Sequence, residues 1–158
     1  MTDTINRFKH SGKTKVVKGS ILTPENAGLR FILSINNMIG KPEGNPLLSV
    51  LDKKWKKVRE ETKGWFANKT GTYKLGAINT TAVQSDTWVI HMLCQDDKLA
   101  VDLAGLEDCL KKVAVSAKYE KASCHVSTVL TDAIPALKQL LTKNLLEEGV
   151  SVYYYEEV

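Results

Sequence analysis

The residues whose types could do chemistry fall in two short segments and two strand-borne pairs. Residues 36–45 (NNMIGKPEGN) hold two glycines and a proline. Gly40 and Gly44 carry no Cβ and let backbone come close to a ligand, and a helix opening at Pro46 would turn its N–H groups toward phosphate. Asn36 and Asn37 offer hydrogen bonds to a sugar hydroxyl. Residues 127–132 (STVLTD) bring three hydroxyls and a carboxylate ahead of a helix. That pattern suits local capping, with Thr131 or Asp132 as N-cap, more readily than a ligand. His91 with Cys94, and Cys124 with His125, sit in apolar strand-like runs, where a histidine is more often a packed residue than a base and a thiol is inert. No GxSxG elbow, Walker phosphate loop or HExxH helix occurs. Trp55, Trp65 and Trp88 read as core or edge packing.

The elements that position these residues alternate. Residues 14–21 and 30–35 are β-branched runs separated by the turn residues Thr23, Pro24, Glu25 and Asn26. From Pro46, Leu47, Leu51, Trp55 and Val58 form one helical stripe, with Lys53, Lys54, Lys56, Lys57 and Arg59 on the remaining faces. Residues 71–83 and 87–95 read as two strands of an antiparallel pair. Asp102 caps a helix carrying Leu103, Leu106, Leu110, Val113, Ala114 and Ala117. Residues 122–126 form a strand, 132 to about 146 a helix, and 150–155 a closing strand. The pattern predicts a three-layer α/β/α fold with a mixed central sheet over residues 14–158, behind an extension of residues 1–13. Ligands of such sheets bind at the carboxyl ends of the parallel strands, where both loops fall.

With 158 residues, 43% apolar and 25% charged, the chain suits one packed core rather than a disordered tail. No run reaches the ~20 apolar residues of a membrane helix, and no secretory leader is recognisable. Three cysteines without ligand spacing argue against a disulfide framework and a metal, so a reducing, intracellular compartment, cytoplasmic or nuclear, is expected; a monomer is expected as well. Residues 1–75 carry 15 Lys/Arg against 6 Asp/Glu, and residues 76–158 carry 7 against 12. Such asymmetry suits a solvated surface or a basic face toward nucleic acid, polyphosphate or an acidic protein.

Several strings together resemble the macrodomain family of ADP-ribose-binding modules. VVKGSI (16–21) is similar to its opening strand, INNMIGK (35–41) to its ribose loop, and LSVLDKKW (48–55) to its first helix. KLGAI with TWVIHMLCQ (74–95) resembles its central hairpin, and CLKKVAVSAKYEKASCHV (109–126) with VSVYYY (150–155) its later elements. The nearest subgroup includes a poly(ADP-ribose)-activated chromatin remodeller's macrodomain, the terminal ADP-ribose protein glycohydrolase and phage ADP-ribose-1″-phosphate processing proteins.

The resemblance implies a pocket of Ser20, Ile21, Asn37, Gly40 and Gly44, facing Thr128, Leu130, Thr131 and Asp132. It also marks departures. Ser20 stands where the family has an adenine-reading Asp, Pro46 where a loop Gly lies, and Leu130 where a glycine admits pyrophosphate, with Asp132 adding charge nearby. The glycohydrolase's acidic residue falls near Ile134, and its lysine nucleophile has only Lys98 in its neighbourhood, so no catalytic residue and no cofactor are carried over. The expected function is a binding module for ADP-ribose, poly(ADP-ribose) or a related nucleotide. The alternative is a module that holds a protein or nucleic-acid partner through its basic half without ADP-ribose. Behind both stands an ADP-ribosyl hydrolase or ADP-ribose-1″-phosphate phosphatase, with Asn37 placing a water and Asp132 as base.

Overall fold

The computed structural model describes residues 12–68 and 72–158. Most of the 1–13 extension, and Gly71 at the start of an expected strand, lie outside them. Six strands form one sheet: β1 (Thr14–Ser20), β2 (Arg30–Asn37), β3 (Ile78–Gln84), β4 (Thr87–Gln95), β5 (Ser123–Ser127) and β6 (Val152–Glu157). Their order is β1-β6-β5-β2-β4-β3. All neighbours run parallel except the β3–β4 hairpin, as expected for a mixed sheet. β1 and β2 are consecutive in sequence but do not pair: β1 lies at one edge beside β6.

The helices are α1 (Leu48–Lys54), α2 (Lys56–Ala67), α3 (Leu103–Glu120), α4 (Thr128–Ala133) and α5 (Leu137–Asn144), followed by a 3-10 turn over Leu146–Glu148. Leu47, Leu51 and Val58 of the expected stripe are fully buried. The single helix expected from Pro46 is instead two, because Trp55 adopts extended angles (φ −132°, ψ 96°) between them. The expected helix over 132–146 is also two, and it begins earlier. Ile134 is extended (φ −124°, ψ 93°) because it precedes Pro135, and a proline disfavours helical angles in the residue before it. The expected strand 71–83 is ordered as β3 only from Ile78.

The register divides the sheet into two unlike faces. Phe31, Leu33 and Ile35 share one with Ile90, Met92, Cys124, Val126, Val152 and Tyr154, all buried. α3 and α5 cover it: Cys109 Sγ lies 3.4 Å from the Ala77 carbonyl, and Lys138 Nζ sits 5.3 Å from the Tyr154 ring centre. The other face carries Ser34, Asn36, His91, Ser123, His125, Ser127, Tyr153 and Tyr155. It is covered by α1, α2 and the segment 21–29, from which Glu25 N–H donates to Tyr155 Oη at 2.8 Å. Burying this polar row requires partners for it, and hydrogen bonds supply most of them.

Candidate functional site

Parallel strands place their carboxyl ends along one edge, so Ser20, Asn37, Gln95, Ser127 and Glu157 gather there. Pairing of β2 with β5 stops at Ile32↔His125, although β2 runs on to Asn37. The first loop therefore rises beside a strand that has left its neighbour. Asn45 occupies this region. Its Nδ2 donates to Ser34 Oγ (3.1 Å) and to the Ile35 carbonyl, and its Oδ1 accepts from the N–H groups of Leu47 and Leu48, each at 3.0 Å. One buried amide thus ties the strand to the start of α1. Sequence reasoning passed over Asn45, yet Asn before Pro is a cap-then-first-turn signature.

Each residue expected in the pocket has a definite place. Asn37 is 1% exposed. Its Nδ2 donates to the carbonyls of Lys41 (2.9 Å) and Glu43 (2.7 Å), its Oδ1 accepts from Lys41 N–H, and its carbonyl accepts from Tyr73 Oη. Both amide protons hold the loop's own shape. Gly40 (φ 67°) is needed for packing, since a Cβ would stand 2.3 Å from the Phe66 ring. Gly44 (φ 84°) lies over Gln95, 3.0 Å from the position its Cβ would take to Nε2. Ser20 Oγ accepts from Leu22 N–H at 3.0 Å, and Ile21 N–H donates to the Glu157 carbonyl.

The second segment departs from expectation. Residues 127–132 are not an open loop: helix α4 begins at Thr128, capped by Ser127, whose Oγ accepts from Val129 N–H at 3.1 Å. The cap is therefore Ser127, not Thr131 or Asp132, because the strand ends directly into the helix. Thr131 Oγ1 donates back to the Thr128 carbonyl. Leu130 is fully buried within the hydrophobic core. Its position on α4 turns it inward. Thr128 and Thr131 are half-exposed and Asp132 is exposed.

Among the described residues, two buried acceptors at this edge, Asn36 Oδ1 and Gln95 Oε1, find no hydrogen-bond partner. Gln95 uses only its Nε2, donating to the Leu99 carbonyl. Such atoms cost free energy unless a donor reaches them. Glu156, Glu157 and Asp132 make the β6–β5 side acidic.

The amino ends of the strands are different. His125, fully buried, lies between Ser123 Oγ (Nε2, 2.7 Å) and Tyr155 Oη (Nδ1, 2.7 Å), stacked on Tyr153. One consistent arrangement has Glu25 N–H donating to Tyr155, Tyr155 donating to Nδ1, and Nε2–H donating to Ser123, which also accepts from Asn26 Nδ2. Burial, with the Arg30 charge, lowers His125 to a pKa of about 3, and burial raises Tyr155 to about 12. A neutral histidine this acidic is a poor general base, so the relay is architectural. It ends at a cavity of about 360 Å³ lined by Asn26, Lys118, Lys121, Ser123, Gly149 and Ser151, among others. His91 is likewise buried and lowered to about 4, held through Nε2 to Thr81 Oγ1 at 2.8 Å. Burial raises the thiols of Cys94, Cys109 and Cys124. Among the described residues no group of His, Cys, Asp or Glu could hold a metal ion, and no helix is long and apolar enough to cross a membrane.

No family model matches the sequence, and no curated protein does. Solved structures do match. A macrodomain protein from Streptomyces coelicolor superposes with a TM-score of 0.84 at 21% identity, over 92% of this chain and 100% of its own. A Bacteroides thetaiotaomicron protein matches with a TM-score of 0.80 at 25% identity, over 91% and 100%. The macrodomain of Thermus aquaticus DarG matches with a TM-score of 0.70 at 17% identity, over 92% and 99%. Strand order, the parallel core with one antiparallel hairpin, and these superpositions identify the architecture of the chain as the macrodomain fold.

Proposed function

We propose that the protein binds an ADP-ribose-type nucleotide at the carboxyl edge of its sheet, as a reader rather than a hydrolase. The observation that carries this reading is the pair of unpartnered buried acceptors, Asn36 Oδ1 and Gln95 Oε1, beside the glycine loop. They call for donors, and ribose hydroxyls and the adenine amino group are donors where phosphate oxygens are not. The macrodomain fold, generally a carrier of ADP-ribose sites, supports the same edge. Ile21, Gly40 and Gly44 would contribute backbone, with the Thr128 and Thr131 hydroxyls opposite. Asn37 and Ser20 would act through the loop shapes they hold, since their side chains are already engaged. That engagement commits both Asn37 amide protons to the loop, and Asp132 lies exposed on α4.

Calorimetric titration with ADP-ribose tests the reading. Saturable binding is expected, weakened about 3–10-fold by Asn36→Ala, the value of one ordinary hydrogen bond. A folded protein that gives no heat would instead favour the second reading, a fold kept for partner binding alone. The internal satisfaction of Asn37 and Ser20 is the observation behind that alternative.

A further inference from the structure

The surface across the α1–α2 break carries a charge pattern that nucleotide binding leaves unused. Lys53 and Lys54 end α1, Lys56 and Lys57 begin α2, and all four are exposed. The ion pairs among the described residues are Lys15–Glu25, Arg30–Asp86, Lys118–Glu148 and Lys143–Glu107, so none of the four is neutralised by one. Asp52, Glu60 and Glu61 share these helices without pairing to them.

The break itself determines how the cations are spread. Trp55 N–H donates to the Leu51 carbonyl and the Trp55 carbonyl accepts from Val58 N–H, so one residue closes α1 and opens α2. Lys54 Nζ reaches the Leu22 carbonyl (3.1 Å), and Lys57 Nζ reaches the Ala82 carbonyl (3.3 Å). The cations thus run from the segment after β1 to the far hairpin. Within the row the Trp55 ring is only half-buried, with Lys54 Nζ 5.2 Å from its centre.

We propose that this surface binds the backbone of a single-stranded nucleic acid, with a base stacked on Trp55. A row of lysines outside any ion pair follows a phosphate chain. The Trp55 ring packs partly against the core and carries Lys54 Nζ over it, so an unpaired base of any identity stacks on its exposed part by displacing Lys54. An acidic protein would satisfy the charges but has no planar base for the ring, and a duplex keeps its bases stacked on one another.

The test uses the full chain and a fluorescently labelled oligothymidine, with anisotropy read between 50 and 200 mM salt. Four phosphate contacts predict a slope of log affinity on log salt of about −3, and Lys53→Ala/Lys56→Ala/Lys57→Ala should flatten it by about 2. Trp55→Leu should keep the slope while weakening binding at least about fivefold, the low end for loss of one stacked base. Lys111→Ala/Lys143→Ala, on the opposite layer, should change nothing. Three results overturn the proposal: no binding by folded protein at 50 mM salt, a triple variant that binds like the parent, or polyglutamate bound as tightly as the oligonucleotide. None of these depends on whether ADP-ribose binds.

Discussion

The two ends of the parallel strands treat the same problem, buried polar groups, in opposite ways. At the carboxyl ends, Asn37, Asn45, Ser20 and Ser127 turn their side chains onto nearby backbone, within a few residues of themselves or onto the adjoining strand. These bonds shape loops, and they leave the unpaired acceptors Asn36 Oδ1 and Gln95 Oε1 at the edge. Toward the amino ends, Ser123, His125 and Tyr155 satisfy one another across two strands, and Glu25 and Asn26 close the chain from segment 21–29. The first end spends local bonds to hold a loop open in shape; the second uses long-range bonds to weld a surface segment to the sheet. Among the described residues the carboxyl edge keeps two unmet acceptors, while the amino end keeps one unmet donor, Arg30 Nε, beside an otherwise closed network.

The largest expected effect lies in the two buried histidines, His125 of that second network and His91, held by Thr81. His91 and His125 have folded-state pKa values lowered by burial to about 4 and about 3, below the unfolded value of ~6.5. The unfolded chain therefore binds more protons across the interval between, and their contribution is intact above ~6.5 and lost as pH falls toward the folded values. Each histidine adds a slope of up to about 1.4 kcal/mol per pH unit. Denaturant unfolding at pH 7, 6 and 5 should show stability falling, with a shallower fall in His125→Gln. A flat profile would mean that the network does not hold the histidine neutral.

A smaller effect separates core from cleft at the carboxyl edge. Leu130→Ala should destabilise by about 2–5 kcal/mol, read as a lowered melting temperature, and should not tighten ADP-ribose binding. Asp132→Ala, at an exposed position of α4, should stay within about 0.5 kcal/mol of the parent. Were Leu130→Ala to leave stability unchanged while tightening binding, the leucine would belong to the cleft after all.

Asn45→Ala should cost about 1–3 kcal/mol, since it leaves the buried Leu47 N–H and Ser34 Oγ without that amide, and Leu48 N–H with only the Asn45 carbonyl at 3.3 Å. Thermal melting gives the stability, and hydrogen exchange at Leu47 and Leu48 should speed up before exchange in β5. Equal protection at both ends would erase the distinction between a locally held loop and a welded sheet.

Much of this molecule is legible in its residues. The α/β alternation, the antiparallel β3–β4 hairpin and the stripe of Leu47, Leu51 and Val58 follow from periodicity, because burial of one face imposes a repeat on the chain. The Asn45-Pro46 cap and the Ile134-Pro135 break follow equally local rules, capping and the residue before proline, although the helical stripes alone suggested one continuous helix in each place. What side chains do at the edge was not. Asn37 as a loop brace and Leu130 as a core residue depend on where the chain folds back, and composition cannot say which carbonyl an amide will meet.

The sequence by itself determined the layers, the excess of cations before residue 76 and the absence of familiar catalytic strings. Only the tertiary structure decided that β1 pairs with β6, that His125 bridges Ser123 and Tyr155, and that Asn36 and Gln95 retain unpaired acceptors. The reason is range: helix and strand patterns are set by neighbours along the chain, whereas strand order and hydrogen-bond partners join residues up to 138 positions apart, as Lys13 and Ser151 do.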